Sequence, residues 1–162
     1  MIWFWLPALL ALAADVLTKW LTVLHLGDGL VQLGSLLHLR QTHNTGMALG
    51  IFAGSEWAGL ILPLTAVLGG WLLMRRYRTT PFTLLACGLV VGGFIGNYGQ
   101  RLLQGYVLDM IFFPWMPWFV CNAADIFICG GVALLAVSLL FRPDDWIEKA
   151  SEAKDAENRN HR

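Results

Sequence analysis

The sequence predicts an all-α polytopic membrane protein, four transmembrane helices carrying a small extracytoplasmic β-containing subdomain. Three observations lead there. Hydrophobic residues fill 57% of the 162 positions and charged residues only 14%, against about 25% charged in an ordinary soluble domain. More than half of the acidic residues lie in positions 143–162, so the body of the chain is almost free of charge. Four stretches reach or approach the ~20 apolar residues that a helix needs to cross a hydrocarbon core. Net charge is zero, and no basic stripe suits a nucleic-acid backbone.

The first span is expected over about 2–24, interrupted by Asp15 and Lys19. These two are four apart and share one helical face, where they either neutralise each other within the span or brace a loop near a site. Ala11-Leu12-Ala13 resembles a leader-cleavage site. No Lys or Arg precedes it, however, and apolar character resumes after Asp15, so this segment is expected to remain as a span. The second span, about 57–74, carries no charge. The third, about 81–101, is rich in glycine, and Gly92 and Gly96, four apart, permit close helix–helix approach. The fourth, about 123–141, opens on Asn122-Ala123-Ala124-Asp125, a variant capping box with Asn at the N-cap and an acid three residues on.

The loops set the orientation. Arg75, Arg76 and Arg78 follow the second span; Arg142, Lys149, Lys154, Arg159 and Arg162 follow the fourth. The positive-inside rule then places both termini in the cytoplasm and the loops of about 25–56 and 102–122 outside. Trp57, Trp115 and Trp118 suit an interfacial belt at that outer surface. The first outer loop is too long for a simple turn, and residues 29–33 and 36–40 have the composition of short strands. Residues 1–142 thus form the transmembrane domain. Residues 143–162 form a charged cytoplasmic tail to which no chemistry is assigned.

Asp109 and Asp125 stand out because the fifteen residues between them include no charged side chain. An ionisable group at membrane depth is costly and marks a functional site by default. Two carboxylates able to meet there point to acid–base hydrolysis by a pair sharing one proton. Capping accounts for Asp125 but not for Asp109. Arg101 is the cation nearest Asp109 in sequence and would help hold a buried carboxylate ionised. Asn97 lies four residues before it, on the same helical face. Asn44 and Gly46, in Asn44-Thr45-Gly46-Met47-Ala48-Leu49-Gly50, read as a tight turn. In the span arrangement Asn44, Asn97, Arg101, Asp109, Asn122 and Asp125 all fall at the outer face.

Other chemistries fit poorly. No HExxH or GxSxG is present, and Cys87, Cys121 and Cys129 lack the spacing of a zinc site or disulfide framework. The histidines are expected in loops or the tail, with His43, beside Asn44, the one worth testing. Intramembrane acids also mark proton pathways, so a small transporter or proton-conducting subunit is the alternative from another class.

These segments, in this order, resemble the bacterial lipoprotein signal peptidases (signal peptidase II). The likeness covers residues of about 10–140. It rests on Asp15-Val16-Leu17-Thr18-Lys19, on the Asn44 to Gly50 motif and on the Gly92-Gly93…Gly96-Asn97…Arg101 element. Gly105-Tyr106-Val107-Leu108-Asp109 and Asn122-Ala123-Ala124-Asp125 complete it. Gln100 stands where the family usually has Asp, Val16 where Gln is common, Leu49 where Phe is usual, Met110 where Phe is frequent, and Cys121 where an aromatic often precedes the Asn. The resemblance implies an aspartyl endopeptidase of the bacterial inner membrane, with its active site near the outer face. Its catalytic residues would be Asp109 and Asp125, supported by Asn44, Gly46, Asn97, Arg101, Asn122, Asp15 and Lys19. It implies no metal or cofactor, a monomer in membrane lipid, and diacylglyceryl-modified prolipoproteins as substrates, cut just before the lipidated cysteine. A catalytically silent member that grips lipidated peptides is the remaining alternative.

Overall fold

In the computed structural model, which describes residues 1–27, 29–46 and 56–150, the first helix is turned inside out relative to a soluble one. Helix α1 (Ile2–His25) buries Ala8, Ala11, Asp15, Lys19 and Thr22, spaced three or four apart along one face. Trp5, Leu9, Leu10, Val16, Trp20 and Val23 point outward. Small and polar residues inside with large apolar residues outside is what a lipid solvent selects, because association there depends on close packing and polar contacts.

Three further helices follow: α2 (Glu56–Arg76), α3 (Pro81–Gln104) and α4 (Ala123–Phe141). Among the described residues, three helices, α1, α3 and α4, are long and apolar enough to cross a membrane. The helix bounds lie within a few residues of the apolar stretches read from the sequence, with α3 running on to Gln104 and α2 extending to Glu56 and Arg76. Helix α3 begins at a capping box in which the Thr80 hydroxyl accepts from Thr83 N–H at 3.3 Å and the Thr83 hydroxyl accepts from Thr80 N–H at 3.0 Å, with Pro81 preset for the first turn. It ends at Gly105, whose φ of 79° is the left-handed cap that glycine adopts without strain.

Helix α3 is the central element, packed between α1 and α4. Its glycines make this possible. A Cβ on Gly92 would run into the carbonyl of Ala8 in α1, and one on Gly93 would lie 2.6 Å from the carbonyl oxygen of Ala124 in α4. Gly96, the partner of Gly92 in the sequence pattern, is where α3 passes over the Asp15 carboxylate.

The α1–α2 and α3–α4 connections both contribute to one antiparallel sheet, which among the described residues has four strands in the order β1-β2-β3-β4. The strands are β1 (Leu30–Gln32), β2 (His38–Asn44), β3 (Val107–Phe112) and β4 (Val120–Cys121). The sequence places strands only in the first loop, so the sheet is larger than expected and spans two loops. Strand β3 escaped notice because Val107, Leu108, Asp109 and Met110 are all buried, which leaves no alternation to read. Strand β2 pairs Thr42 with Asp109, His43 with Leu108 and Asn44 with Val107. Strand β4 pairs only with Ile111 and Phe112, leaving the first half of β3 uncovered on that edge. His25 ends α1 and His38 and His43 lie in β2, so these three histidines sit in regular elements rather than in loops.

At the other end of the bundle, the segment after α4 clasps the turn between α2 and α3. Arg76 pairs with Glu148 at 2.7 Å, Arg78 N–H donates to Ile147 O at 2.9 Å, and buried Asp145 accepts from Ser138 Oγ at 2.8 Å and Arg142 Nε at 2.7 Å. The Arg142 guanidinium holds the Asp145 carboxyl below the usual range. Residues 47–50 of the second motif, the tail of 151–162 and the side chain of Trp57 lie outside the described residues. Trp115 and Trp118 are exposed on the β3–β4 connection.

The helix packing has a direct test. Gly93→Leu forces α3 and α4 apart and should cost about 1–3 kcal/mol, the usual range for overpacking. Gly99→Ala, where nothing lies within 4 Å of the added carbon, should leave thermal unfolding in detergent unchanged or slightly raised.

Candidate active site

Strand β3 and the first turn of α4 carry the two aspartates, and the side chains of α1, α3 and β2 converge on them. Asp109 is 2% exposed. Its two oxygens face amide donors: Asn122 Nδ2 at 2.7 Å from Oδ1, and Asn44 Nδ2 at 2.9 Å from Oδ2. Asp125 accepts from Asn97 Nδ2 at 2.8 Å through Oδ1 and from Asn122 N–H at 3.1 Å through Oδ2. The Asn122 side-chain oxygen accepts in return from Asp125 N–H at 3.0 Å, completing the capping box expected from sequence.

Asn122 is therefore shared between the carboxylates. Its side-chain oxygen belongs to the α4 cap, and its amide nitrogen reaches Asp109 and, at 3.0 Å, Asn97 Oδ1. Asn97 in turn accepts from Lys19 Nζ at 2.9 Å. Lys19 is ion-paired with Asp15 at 2.7 Å. The other Asp15 oxygen accepts from Ala124 N–H at 3.0 Å. Both sequence readings of the α1 pair thus hold in part: it is an intramembrane ion pair, and it braces the start of α4 rather than a loop.

Asn44 closes the site from β2. Its Oδ1 accepts from Gly46 N–H at 3.0 Å while its amide donates to Asp109, so the turn expected there also aims the side chain. Arg101 Nη2 donates to Gly46 O at 2.9 Å, which ties the guanidinium to Asp109 through Gly46 and Asn44. Gln100, conspicuous in sequence only as a departure, accepts from Leu108 N–H at 3.0 Å, immediately before Asp109.

Asp109, Asp125, Asn44, Asn97 and Arg101 line one cavity of about 250 Å³. Phe94, Tyr98, Val107, Phe119, Val120 and Ile128 complete its wall. Those apolar residues carried no sequence signal, because their meeting depends on how α3, β3, β4 and α4 pack. His43 is not among them. It stacks on Tyr106 at 4.3 Å and lines a separate groove with Lys19 and Gln104.

Burial pushes the Asp109 carboxyl up to about 6; the Asn44 amide opposes that rise, the nearby Asp125 charge adds to it, and the Asn122 amide opposes it. Burial, then the charges of Asp125 and Asp109, push the Cys121 thiol up to about 12, which leaves it a protonated, unreactive packing residue. Among the described residues, no group of three or more His, Cys, Asp or Glu side chains is placed to hold a metal ion.

A family model described as signal peptidase (SPase) II matches residues 7–141. The chain belongs to this family. Among its relatives is a lipoprotein signal peptidase of Bacillus velezensis, 34% identical over 143 residues, covering 85% of this chain and 94% of that one. The lipoprotein signal peptidase of Bacillus subtilis is 34% identical over 147 residues, covering 85% and 92%. Two solved bacterial membrane enzymes share the fold. One has a TM-score of 0.70 at 23% identity, over 83% of this chain and 85% of its own. The other has 0.71 at 24% identity, over 85% and 92%. Membership in the signal peptidase II family makes this chain a protease, and the apolar helices agree with a membrane setting.

The Asp109 titration follows from its surroundings. Because its value is raised on folding, the carboxyl is protonated below about 6 and ionised above. Its proton therefore favours the folded state at low pH, and that contribution is lost as pH rises through about 6. The carboxylic C=O band of Asp109, followed by infrared difference spectroscopy with Asp109→Asn as blank, should vanish with a midpoint near 6. In Asn44→Ala, which removes a donor to the carboxylate, the midpoint should move upward by about one pH unit, the equivalent of ~1.4 kcal/mol.

Proposed function

We propose that this chain is an aspartyl endopeptidase that removes the signal peptide from diacylglyceryl-modified prolipoproteins, cutting just before the lipidated cysteine. The observation that carries the reading is the shared Asn122, which hydrogen-bonds to Asp109 through its side chain and to Asp125 through its backbone. The lipoprotein substrate and the cleavage position come from the relatives' name and the family likeness.

The mechanism follows from the hydrogen bonds. Asp125 sits in the first turn of α4, where the helix N-terminus and two donors to its carboxylate, Asn97 Nδ2 and Asn122 N–H, favour negative charge. It is the base that takes a proton from water. Asp109, held up by burial, is the acid that donates to the scissile carbonyl oxygen as the water attacks. The tetrahedral carbon then collapses, the C–N bond breaks, and the proton on Asp125 passes to the leaving amine. Asp109 regains its proton as the carbonyl reforms. Like charges held close do not both ionise, so the two titrate as a pair. Asn44 and Arg101 hold the β2 side of the cavity in place for the substrate backbone.

Four crossings, both termini in the cytoplasm and the site at the outer face make one consistent topology. Helix α2, at 21 residues, is about 31 Å long and sufficient to span. The clasp between the α2–α3 turn and the segment after α4 gathers Arg75, Arg76, Arg78, Arg142 and Lys149 at one end, opposite the sheet, as the positive-inside rule requires of a cytoplasmic end.

Purified protein in detergent, incubated with a diacylglyceryl-modified peptide carrying a lipobox, should release the signal segment. Asp109→Asn and Asp125→Asn should each lower kcat by about 10²–10⁴-fold, the usual range for a general acid or base, with peptide binding retained. Cleavage undiminished in either variant refutes the dyad.

A further inference from the structure

The carboxylate pair is held by donors from α3, β2 and the cap of α4, yet the N–H of Leu108, the residue before Asp109, needs a partner of its own. Leu108 is 2% exposed. Strand β4 covers β3 only at Ile111 and Phe112, so among the described residues no strand on that edge receives the Leu108 N–H. That donor goes instead to Gln100 Oε1, at 3.0 Å, from the last turns of α3. The Gln100 amide nitrogen donates to Gln104 Oε1 at 3.0 Å one turn on, which fixes the oxygen as the end facing the strand. From the same residue, the Leu108 carbonyl oxygen lies 3.5 Å from Asn122 Nδ2.

We infer that Gln100 is a positioning residue for the reaction: it clamps the Leu108 amide to α3 and thereby sets where Asp109 stands relative to Asp125. This rests on the peptidase reading above. Gln100 and Leu108 line the groove that also holds Lys19 and His43, beside the cavity of the two carboxylates rather than within it. A side-chain acceptor satisfies this buried donor where strand β4 does not reach. Three features of Gln suit the task. Its oxygen accepts, its amide locks the orientation through Gln104, and its neutrality adds no negative charge beside two carboxylates. Length also matters. Asp would fall short by one methylene, roughly 1.5 Å given ordinary single-bond lengths, too far to keep a hydrogen bond that is already 3.0 Å.

The test compares wild type with Gln100→Leu and Gln100→Glu, reading hydrogen exchange at the Leu108 amide and kcat and KM on the diacylglyceryl-modified peptide. Leaving a buried donor unpaired is the larger part of what Leu does here. In Gln100→Leu, exchange at Leu108 should quicken about tenfold or more and kcat should fall about tenfold, with KM within twofold, since ~1.4 kcal/mol of lost positioning corresponds to one factor of ten. Gln100→Glu restores an acceptor. It should return Leu108 protection while moving the alkaline limb of the pH–rate profile upward, because an added negative charge makes Asp109 harder to ionise. Leu108 exchange and kcat unchanged in Gln100→Leu, or protection not regained in Gln100→Glu, overturns the inference alone. A wild-type chain that does not cleave overturns the peptidase reading and the inference together.

Discussion

Everything at the sheet end of this bundle depends on how Asn122 is held. It is fully buried, and its side-chain oxygen is engaged by the α4 cap while its amide reaches Asp109, Asn97 and the Leu108 carbonyl. A buried amide left unsatisfied would cost about 1–3 kcal/mol, so strand β3, helix α3 and helix α4 are constrained to meet where they satisfy it. The local requirement of starting a helix and the global requirement of joining two acids are met by one residue. Capping motifs are usually explained by the helix alone; here the cap also forms the bridge.

The α1 ion pair supports that arrangement from below. An isolated charge at this depth would be expensive, and Asp15 and Lys19 offset each other at 2.7 Å. Neither uses only its partner. Asp15 accepts from the Ala124 N–H, one of the orphan donors at the start of α4, and Lys19 donates to Asn97. Gly96 lets α3 pass close over the pair. Three helices, α1, α3 and α4, are thereby tied into a polar layer whose apolar surroundings make each hydrogen bond count for more than it would in water. Fixed donors and charges of this kind need little rearrangement when charge moves in a reaction, which is what electrostatic preorganisation requires.

Much of this was legible in the chain. Hydropathy located helices α1, α3 and α4 within a few residues, because lipid imposes length and apolarity together. The polar residues at the outer face could be picked out as a set because each is conspicuous in an apolar stretch. The sheet was only half visible. Leu30 to Gln32 and the first three residues of β2, His38 to Arg40, fall within the stretches read as strands, whereas β3 is buried on both faces and shows no alternation. Arg101 was expected to act as a nearby cation for Asp109; its observed bond to Gly46 O makes it also a brace for the β2 turn. Gln100 looked like a missing acid, and only the position of the Leu108 amide gives its side chain a role. The cavity wall was illegible for the same reason: Phe94, Phe119 and Ile128 meet through tertiary packing, which no local pattern encodes.

The central claim is that Asp109 and Asp125 act on one another's protons. The most direct measurement is the infrared titration of the Asp109 carboxyl in Asp125→Asn beside the wild type. The Asp125 charge raises the Asp109 value after burial and the opposing Asn44 bond are counted, so removing it should lower the Asp109 midpoint below that of the wild type. A midpoint that does not move when Asp125 is neutralised would mean that the two carboxylates titrate independently, and the proton-sharing pair would be contradicted.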